Sequence, residues 1–282
     1  MKRFKIPFTF HDIKRILLSF SGGFFLCLFI NPSNVIGQQF PFESGEIVEY
    51  EISYNWGFIW VDAGEVSFSV SNDEAYGKSA LKLTGEGQTY PKYDWFYKVR
   101  DLYESKVDGE NLRPYSFIRN VQEGKTTINN AYVFDHQKNK AYSIIKQKDG
   151  FLRDTLDFPE ETYDVISMIY RSRLIDFEKY QVEDKIPIKL ILDNQVYESY
   201  IRYLGKEQLD VKGLKNVECY KFKPYLIEGT IFTGGEDMSV FVTADENKVP
   251  LYIESKILVG NIKAIVKSTS NLIQPINYLE EE

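Results

Sequence analysis

Side chains able to do chemistry are few in this chain. There are two cysteines, Cys27 and Cys219, and two histidines, His11 and His136. A lone His136 beyond the first 37 residues argues against a multi-histidine zinc site and against most histidine-based catalysis. Cys219 lies in Val217-Glu218-Cys219-Tyr220-Lys221-Phe222. That stretch alternates like a strand, so the thiol reads as a small buried hydrophobe. Asp and Glu number 41, yet none of them falls in an EF-hand spacing. Gly229, Gly234 and Gly235 suggest a flexible loop, but the Lys-Ser/Thr of a phosphate-binding loop is missing. No metal, cofactor or catalytic motif emerges. An enzymatic reading would rest on carboxylates alone, for example two facing across a cleft at roughly 5 to 10 Å.

Aromatic residues give the better binding candidates. Trp56, Phe58 and Trp60 crowd one stretch with Ile59, and Tyr90, Tyr93 and Trp95 form a second, denser cluster. A greasy loop at a barrel mouth can take an acyl chain or a sugar face. The plainer alternative in both places is packing of the core's end. Arg100, Asp101, Arg119 and Glu123 fall in or beside predicted strands; a solvated outer face is the expectation for them, and an inward polar network the alternative.

The elements that must position these residues are mostly strands. From Gly45 to Trp56, Val48, Tyr50, Ile52, Tyr54 and Trp56 alternate with Glu49, Glu51, Ser53 and Asn55. A period of two marks a strand with one buried face. Val66, Phe68 and Val70 continue the pattern in a second strand, paired through a connection over 57–62. Further strands are predicted over 79–84, 97–106, 116–122, 126–134, 141–146 and 151–156, with an Asp149-Gly150 turn. The stretch 161–175 breaks the rhythm with a helical period through Val165, Ile166, Ile169, Tyr170 and Leu174. Thr162 or Asp164 suits its N-cap, and Arg171 and Arg173 its C-terminal end. Strands resume over 186–192, 196–204, 217–226, 238–243, 251–258 and 262–268. The expected fold is mainly β: a curved antiparallel sheet or half-open barrel, with one amphipathic helix near 163–175 packed on it. A single domain over 45–275 is expected, after an irregular segment over 38–44 and before an acidic tail over 276–282. A two-part layout divided near the helix is the alternative.

Residues 1–37 have the order of a secretory signal. Lys2, Arg3, Lys5, Lys14 and Arg15 precede the apolar run from Ile16 to Ile30, and Val35-Ile36-Gly37 supplies small residues for a cut after Gly37. The run falls short of the roughly 20 residues that span a bilayer, which favours cleavage over anchoring. A lipid-modified Cys27 is disfavoured by the bulky Leu26 before it. Removing residues 1–37 leaves 29 Lys+Arg against 40 Asp+Glu, net −11 in place of −7. So acidic a protein does not look built for nucleic acid or anionic membrane surfaces. With one remaining cysteine it cannot form an internal disulfide and must fold by packing alone.

Three stretches together resemble a family of uncharacterised exported bacterial proteins, a domain-of-unknown-function family. They are Gly45-Glu46 with the Tyr50…Tyr54…Trp56 strand and Ala63-Gly64-Glu65; Tyr163-Asp164-Val165-Ile166-Ser167-Met168-Ile169-Tyr170 with Arg171 and Arg173; and the stretch from Thr243 to Lys267 with Asp245, Pro250, Glu254, Lys256 and Gly260. The resemblance implies an exported, β-rich protein with no assigned activity. It also looks distantly similar to the half-open barrels that carry lipoproteins across the periplasm, a likeness of fold alone. Two functions are expected, the first from the many one-sided strands with large apolar residues and the single amphipathic helix. One is a periplasmic binding protein for an apolar or amphiphilic ligand, such as a lipid or glycan. The other is a structural or assembly factor of the envelope acting through protein contacts.

Overall fold

The computed structural model describes residues 40–56, 59–228, 234–257 and 260–276. The leader over 1–37, Phe58, the centre of the glycine-rich loop and the end of the acidic tail lie outside the described residues. Fifteen strands form one sheet: β1 Ile47–Trp56, β2 Ile59–Ala75, β3 Lys78–Thr89, β4 Val99–Asp108, β5 Pro114–Glu123, β6 Thr126–Asp135, β7 Lys140–Gln147, β8 Gly150–Asp157, β9 Thr162–Tyr163, β10 Lys185–Leu192, β11 Gln195–Val211, β12 Leu214–Pro224, β13 Met238–Thr243, β14 Pro250–Lys256 and β15 Asn261–Ser270. The order is β8-β7-β6-β5-β4-β3-β2-β1-β15-β14-β13-β12-β11-β10-β9. Two meanders of sequence-adjacent hairpins therefore meet at one seam, where β1 pairs antiparallel with β15. Every pairing is antiparallel except β9 with β10.

The helix α1, Val165–Ser172, is shorter than its sequence period suggests. Tyr163 is drawn into the sheet opposite Leu190, so the helix cannot begin before Asp164. Asp164 caps it by accepting from the Ser167 amide at 3.0 Å. The Ser105 hydroxyl of β4 donates to the other oxygen of Asp164 at 2.7 Å, fixing helix to sheet. Ile166 packs on Gly85 of β3, where a Cβ would stand only 2.9 Å from Ile166 Cδ1. Glycine at that position lets the helix approach the strand.

Three groups of buried side chains hold the fold. One gathers Phe42, Leu83, Val107, Phe117, Tyr132 and Phe134 around Ile166 and Tyr170. A second joins Val48 and Tyr50 to Cys219, Leu251 and Val266 across the seam. A third surrounds Phe177 with Tyr203, Tyr220, Phe222 and Val240. Cys219 is fully buried, and burial pushes its thiol up to about 12, so it stays protonated and inert. His136 Nε2 donates to the Pro114 carbonyl at 2.8 Å, and the ring rests against Phe158. Both residues serve packing.

A buried ion pair closes the end where α1 lies. Arg173 donates to both oxygens of Glu46, at 2.5 and 2.9 Å. It also donates to the carbonyls of Pro41 and Asn247 at 2.8 Å. Its guanidinium lies over Phe42 and beside Tyr170. Asn247 in turn exchanges hydrogen bonds with the backbone of Gln274. Glu46, Arg173 and Asn247 come from the three stretches that carry the family resemblance, and they meet here.

Candidate functional site

The face of β2–β8 that carries α1, here the inner face, is crossed by rows of directly opposed residues. At one end, Val107 stands opposite Leu81, and Phe134 opposite Ala141; this region is apolar. The next row runs Val70, Leu83, Ser105, Phe117, Tyr132, Ser143 and Asp154. One step further it runs Phe68, Gly85, Tyr103, Arg119, Asn130, Ile145 and Leu152, and then Val66, Gly87, Asp101, Val121 and Ile128. Glu123, opposite Val99, is last. The inner face thus grades from apolar at that end to mixed polar and aliphatic at the other, with α1 over Ser105 and Gly85 between them.

That arrangement corrects the expectation of solvated outer faces. Arg100 does point outward, where it pairs with Asp94 at 2.7 Å. Asp101, Arg119 and Glu123 alternate to the inner face. Arg119 is 7 % exposed, and it donates to Asp193 at 3.0 Å. Asn130 donates to the same Asp193 oxygen at 3.2 Å. Asp193 and Asn194 form the two-residue turn of the β10–β11 hairpin, with φ of 47° and 58°. Asp and Asn tolerate that left-handed backbone, which a tight hairpin turn requires. Tyr132 and Asn194 also bond one another, hydroxyl to side-chain oxygen and amide to hydroxyl, both at 3.0 Å. The hairpin tip therefore reaches the inner face of β5–β6 and joins the two meanders by side chains.

Several polar atoms of this band have no partner within the protein. Among the described residues, the buried side-chain atoms in that condition are Arg119 Nε, Glu123 Oε2, Asn130 Oδ1, Ser143 Oγ and Tyr170 Oη. Four of the five lie in the inner-face rows just described. An isolated buried donor or acceptor costs on the order of 1–3 kcal/mol, so this band is where water or a ligand would complete the hydrogen bonds. Burial, with the neighbouring charge of Glu123, pushes the Asp101 carboxyl up to about 6. Burial and the same two carboxylates raise the Tyr97 hydroxyl. Ile128, Ile145 and the partly exposed Leu152 border the band. Donors, acceptors and an aliphatic margin are the chemistry that suits a small amphiphile. Among the described residues, no three His, Cys, Asp or Glu side chains gather as metal ligands.

The aromatic candidates stand elsewhere. Trp60 faces outward opposite Asn55, with the Lys263 ammonium 4.0 Å above its ring. Only the backbone of Trp56 is described, pairing with Ile59. Tyr90 and Tyr93 flank Lys92 in a short 3-10 turn over Pro91–Tyr93, and Trp95 is 84 % exposed, edge-on to Phe96. The Tyr90 amide donates to Ala63, so both clusters share one end of the sheet. They occupy its rim and outer face and leave the polar band to other residues. Ser143 and Asn130 carried no sequence signal of their own; only the register of β5–β7 reveals them. A groove of about 450 Å³ on the outer face is lined by Glu49, Glu65, Glu86, Gln88, Arg100 and Lys267 among others. Within it Gln88 donates to Glu65 at 2.7 Å, and Lys267 lies 3.7 Å from the same carboxylate.

Residues 49–267 match a sequence family described as "Protein of unknown function (DUF3108)". No curated protein matches the chain by sequence. Among solved structures, a β-barrel-like protein of the domain of unknown function DUF1849 from Brucella abortus is similar in fold. The TM-score is 0.54 at 7 % identity, over 80 % of this chain and 97 % of that one. The likeness supports the barrel-like architecture and says nothing of the inner-face residues.

Proposed function

Since the chain belongs to the DUF3108 family of proteins of unknown function, we propose that it works as an exported binding protein of the bacterial envelope, taking an amphiphilic ligand on its inner face. The observation that carries this reading is the set of unpartnered buried atoms on β5–β7: Arg119 Nε, Asn130 Oδ1 and Ser143 Oγ. One donor, one acceptor and one hydroxyl suit a head group bearing hydroxyl or amide functions. Ile128, Ile145 and Leu152 would receive its apolar part. The rest of the inner face is filled by α1 and the Phe42 segment, which limits the ligand to this end. The basic and apolar order of residues 1–37 supports export. Native mass spectrometry of the protein gently released from cells tests the reading. A bound mass is expected in the wild type and its loss in a folded Arg119→Met variant. A wild type that carries no added mass, and gains none from a total lipid extract, overturns it.

A second reading, an envelope assembly factor, draws on the outer face of β5–β7. Ile118, Val133, Tyr142 and Ile144 are all at least 39 % exposed there, on adjoining strands. Cross-linking in intact cells would give a stoichiometric protein partner at this face if the second reading holds.

A further inference from the structure

The turns at one end of β1–β8 gather both bulky apolar and basic residues. The antiparallel order puts the β1–β2, β3–β4, β5–β6 and β7–β8 connections on the same edge of the sheet. The Gly124 amide donates to the Lys98 carbonyl at 2.8 Å, joining two of these connections directly. Adjacent hairpins lie about 10 Å apart, two strand spacings, so the arc extends across some 30 Å. Ile59, Trp60, Trp95, Phe96 and Phe151 are exposed along it. Lys92, Lys125, Lys146 and Lys148 are exposed beside them, and Lys98 is half-buried. The acidic residues on the arc are Asp149, the exposed Asp62, which accepts from the Ser53 hydroxyl, the Arg100-paired Asp94, and Glu123, which is turned to the inner face. A chain of net charge −7 thus presents a locally basic edge. Net charge, an average over the whole surface, conceals that asymmetry.

We propose that this rim docks on the surface of a bilayer containing anionic lipid, with Trp60, Trp95, Phe96 and Phe151 entering the interfacial layer and the lysines facing lipid phosphates. Tryptophan favours the water–hydrocarbon boundary because its ring is apolar and its N–H polar. Lysines close to an anionic surface add attraction that salt screens. Exposed aromatic and aliphatic groups without neighbouring lysines would suit a protein contact equally well; the charge is what selects a lipid surface. Docking of the rim and filling of the inner face are separable, since none of these side chains belongs to the polar band.

Tryptophan emission tests the proposal directly. All three tryptophans of the chain, Trp56, Trp60 and Trp95, lie at this edge, and residues 1–37 contain none. The full chain is mixed with vesicles of pure phosphatidylcholine or of phosphatidylcholine with one third phosphatidylglycerol, with and without brominated acyl chains. A blue shift and bromine quenching are expected only with the anionic vesicles, reversed by 0.5 M salt. The triple variant K92E/K125E/K148E should weaken the titration by at least about tenfold, and W95A should lose most of the shift while keeping its melting temperature. No shift with anionic vesicles, or an equal shift in the charge-reversed variant, overturns the proposal. Circular dichroism confirms that each variant is folded.

Discussion

Two buried arginines, Arg173 just after α1 and Arg119 on β5, are built on opposite principles. Arg173 is 4 % exposed and meets a fully buried carboxylate in a two-pronged pair, two backbone carbonyls and an aromatic ring. Arg119 is nearly as buried and also lies over a ring, that of Tyr103, yet it holds one half-exposed carboxylate and leaves Nε unpartnered. A guanidinium whose donors are consumed by the chain is part of the architecture. One with a donor to spare, beside an asparagine oxygen and a serine hydroxyl that also lack protein partners, is the group that the proposed ligand would meet. Burial alone therefore does not distinguish a structural charge from a binding one; the state of its hydrogen bonds does.

The sharpest way to break that contrast is to remove each arginine in turn. Arg173→Met strands Glu46 without a partner and should cost about 3 to 5 kcal/mol in urea unfolding. Adding Glu46→Gln should recover part of that loss. The contrast fails if Arg119→Met is equally destructive. Its expected effect is within about 1 kcal/mol, because the Asp193 it leaves behind is half-exposed and water can take over.

Between these extremes lies the helix cap. Burial pushes the Asp164 carboxyl up to about 6, against roughly 3.9 in an unfolded chain. A folded value above the unfolded one means that the folded chain holds the proton more tightly. Stability is then fully present below about pH 4 and declines as pH rises through about 6. Asp164→Asn keeps a capping oxygen and avoids the charge. Relative to wild type it should gain roughly 1 to 2 kcal/mol at pH 8 and nothing at pH 4. Asp101→Asn should act in the same direction but more weakly, at most about 1 kcal/mol, since solvent reaches that carboxyl. A decline with pH that both variants retain in full would place its source elsewhere. Gly85→Ala probes the boundary between the two regions. Its Cβ would press on Ile166 and Phe68, with an expected cost of about 1 to 3 kcal/mol and a lower melting temperature. A neutral outcome would mean that α1 can withdraw from the sheet.

The strands were readable where the two faces differ in polarity. In β1, Val48, Tyr50 and Ile52 alternate with acids and serine, and the period of two is plain. In β5 it fails, because Ile118 faces out while Arg119 faces in. That inversion explains why the charged residues of β4 and β5 suggested solvated surface. The site was hidden by the feature that makes it a site, polar side chains on the face that should be apolar. The helix was visible, but its start depended on Tyr163 pairing with β10, a tertiary event without local signal. The aromatic clusters were conspicuous in composition, yet composition cannot say which face or end of a sheet a ring occupies. The resemblance stretches pointed to a β-rich family of unknown function, and Glu46, Arg173 and Asn247 show what those stretches do physically.

The seam between β1 and β15 has a consequence for the order of events in time. Residues as distant as Ile47 and Ser270 are neighbours across it. A chain released N-terminus first can assemble its first meander from local hairpins as soon as β8 is out, since each strand pairs with the one before it. Strand β1 then remains an open edge until the last strand of the chain arrives. Closing so long a loop is slow compared with forming hairpins, so the middle of the finished sheet is the last part to be zipped. Until then, two half-sheets stay apart, each with a raw edge that a passing strand could capture.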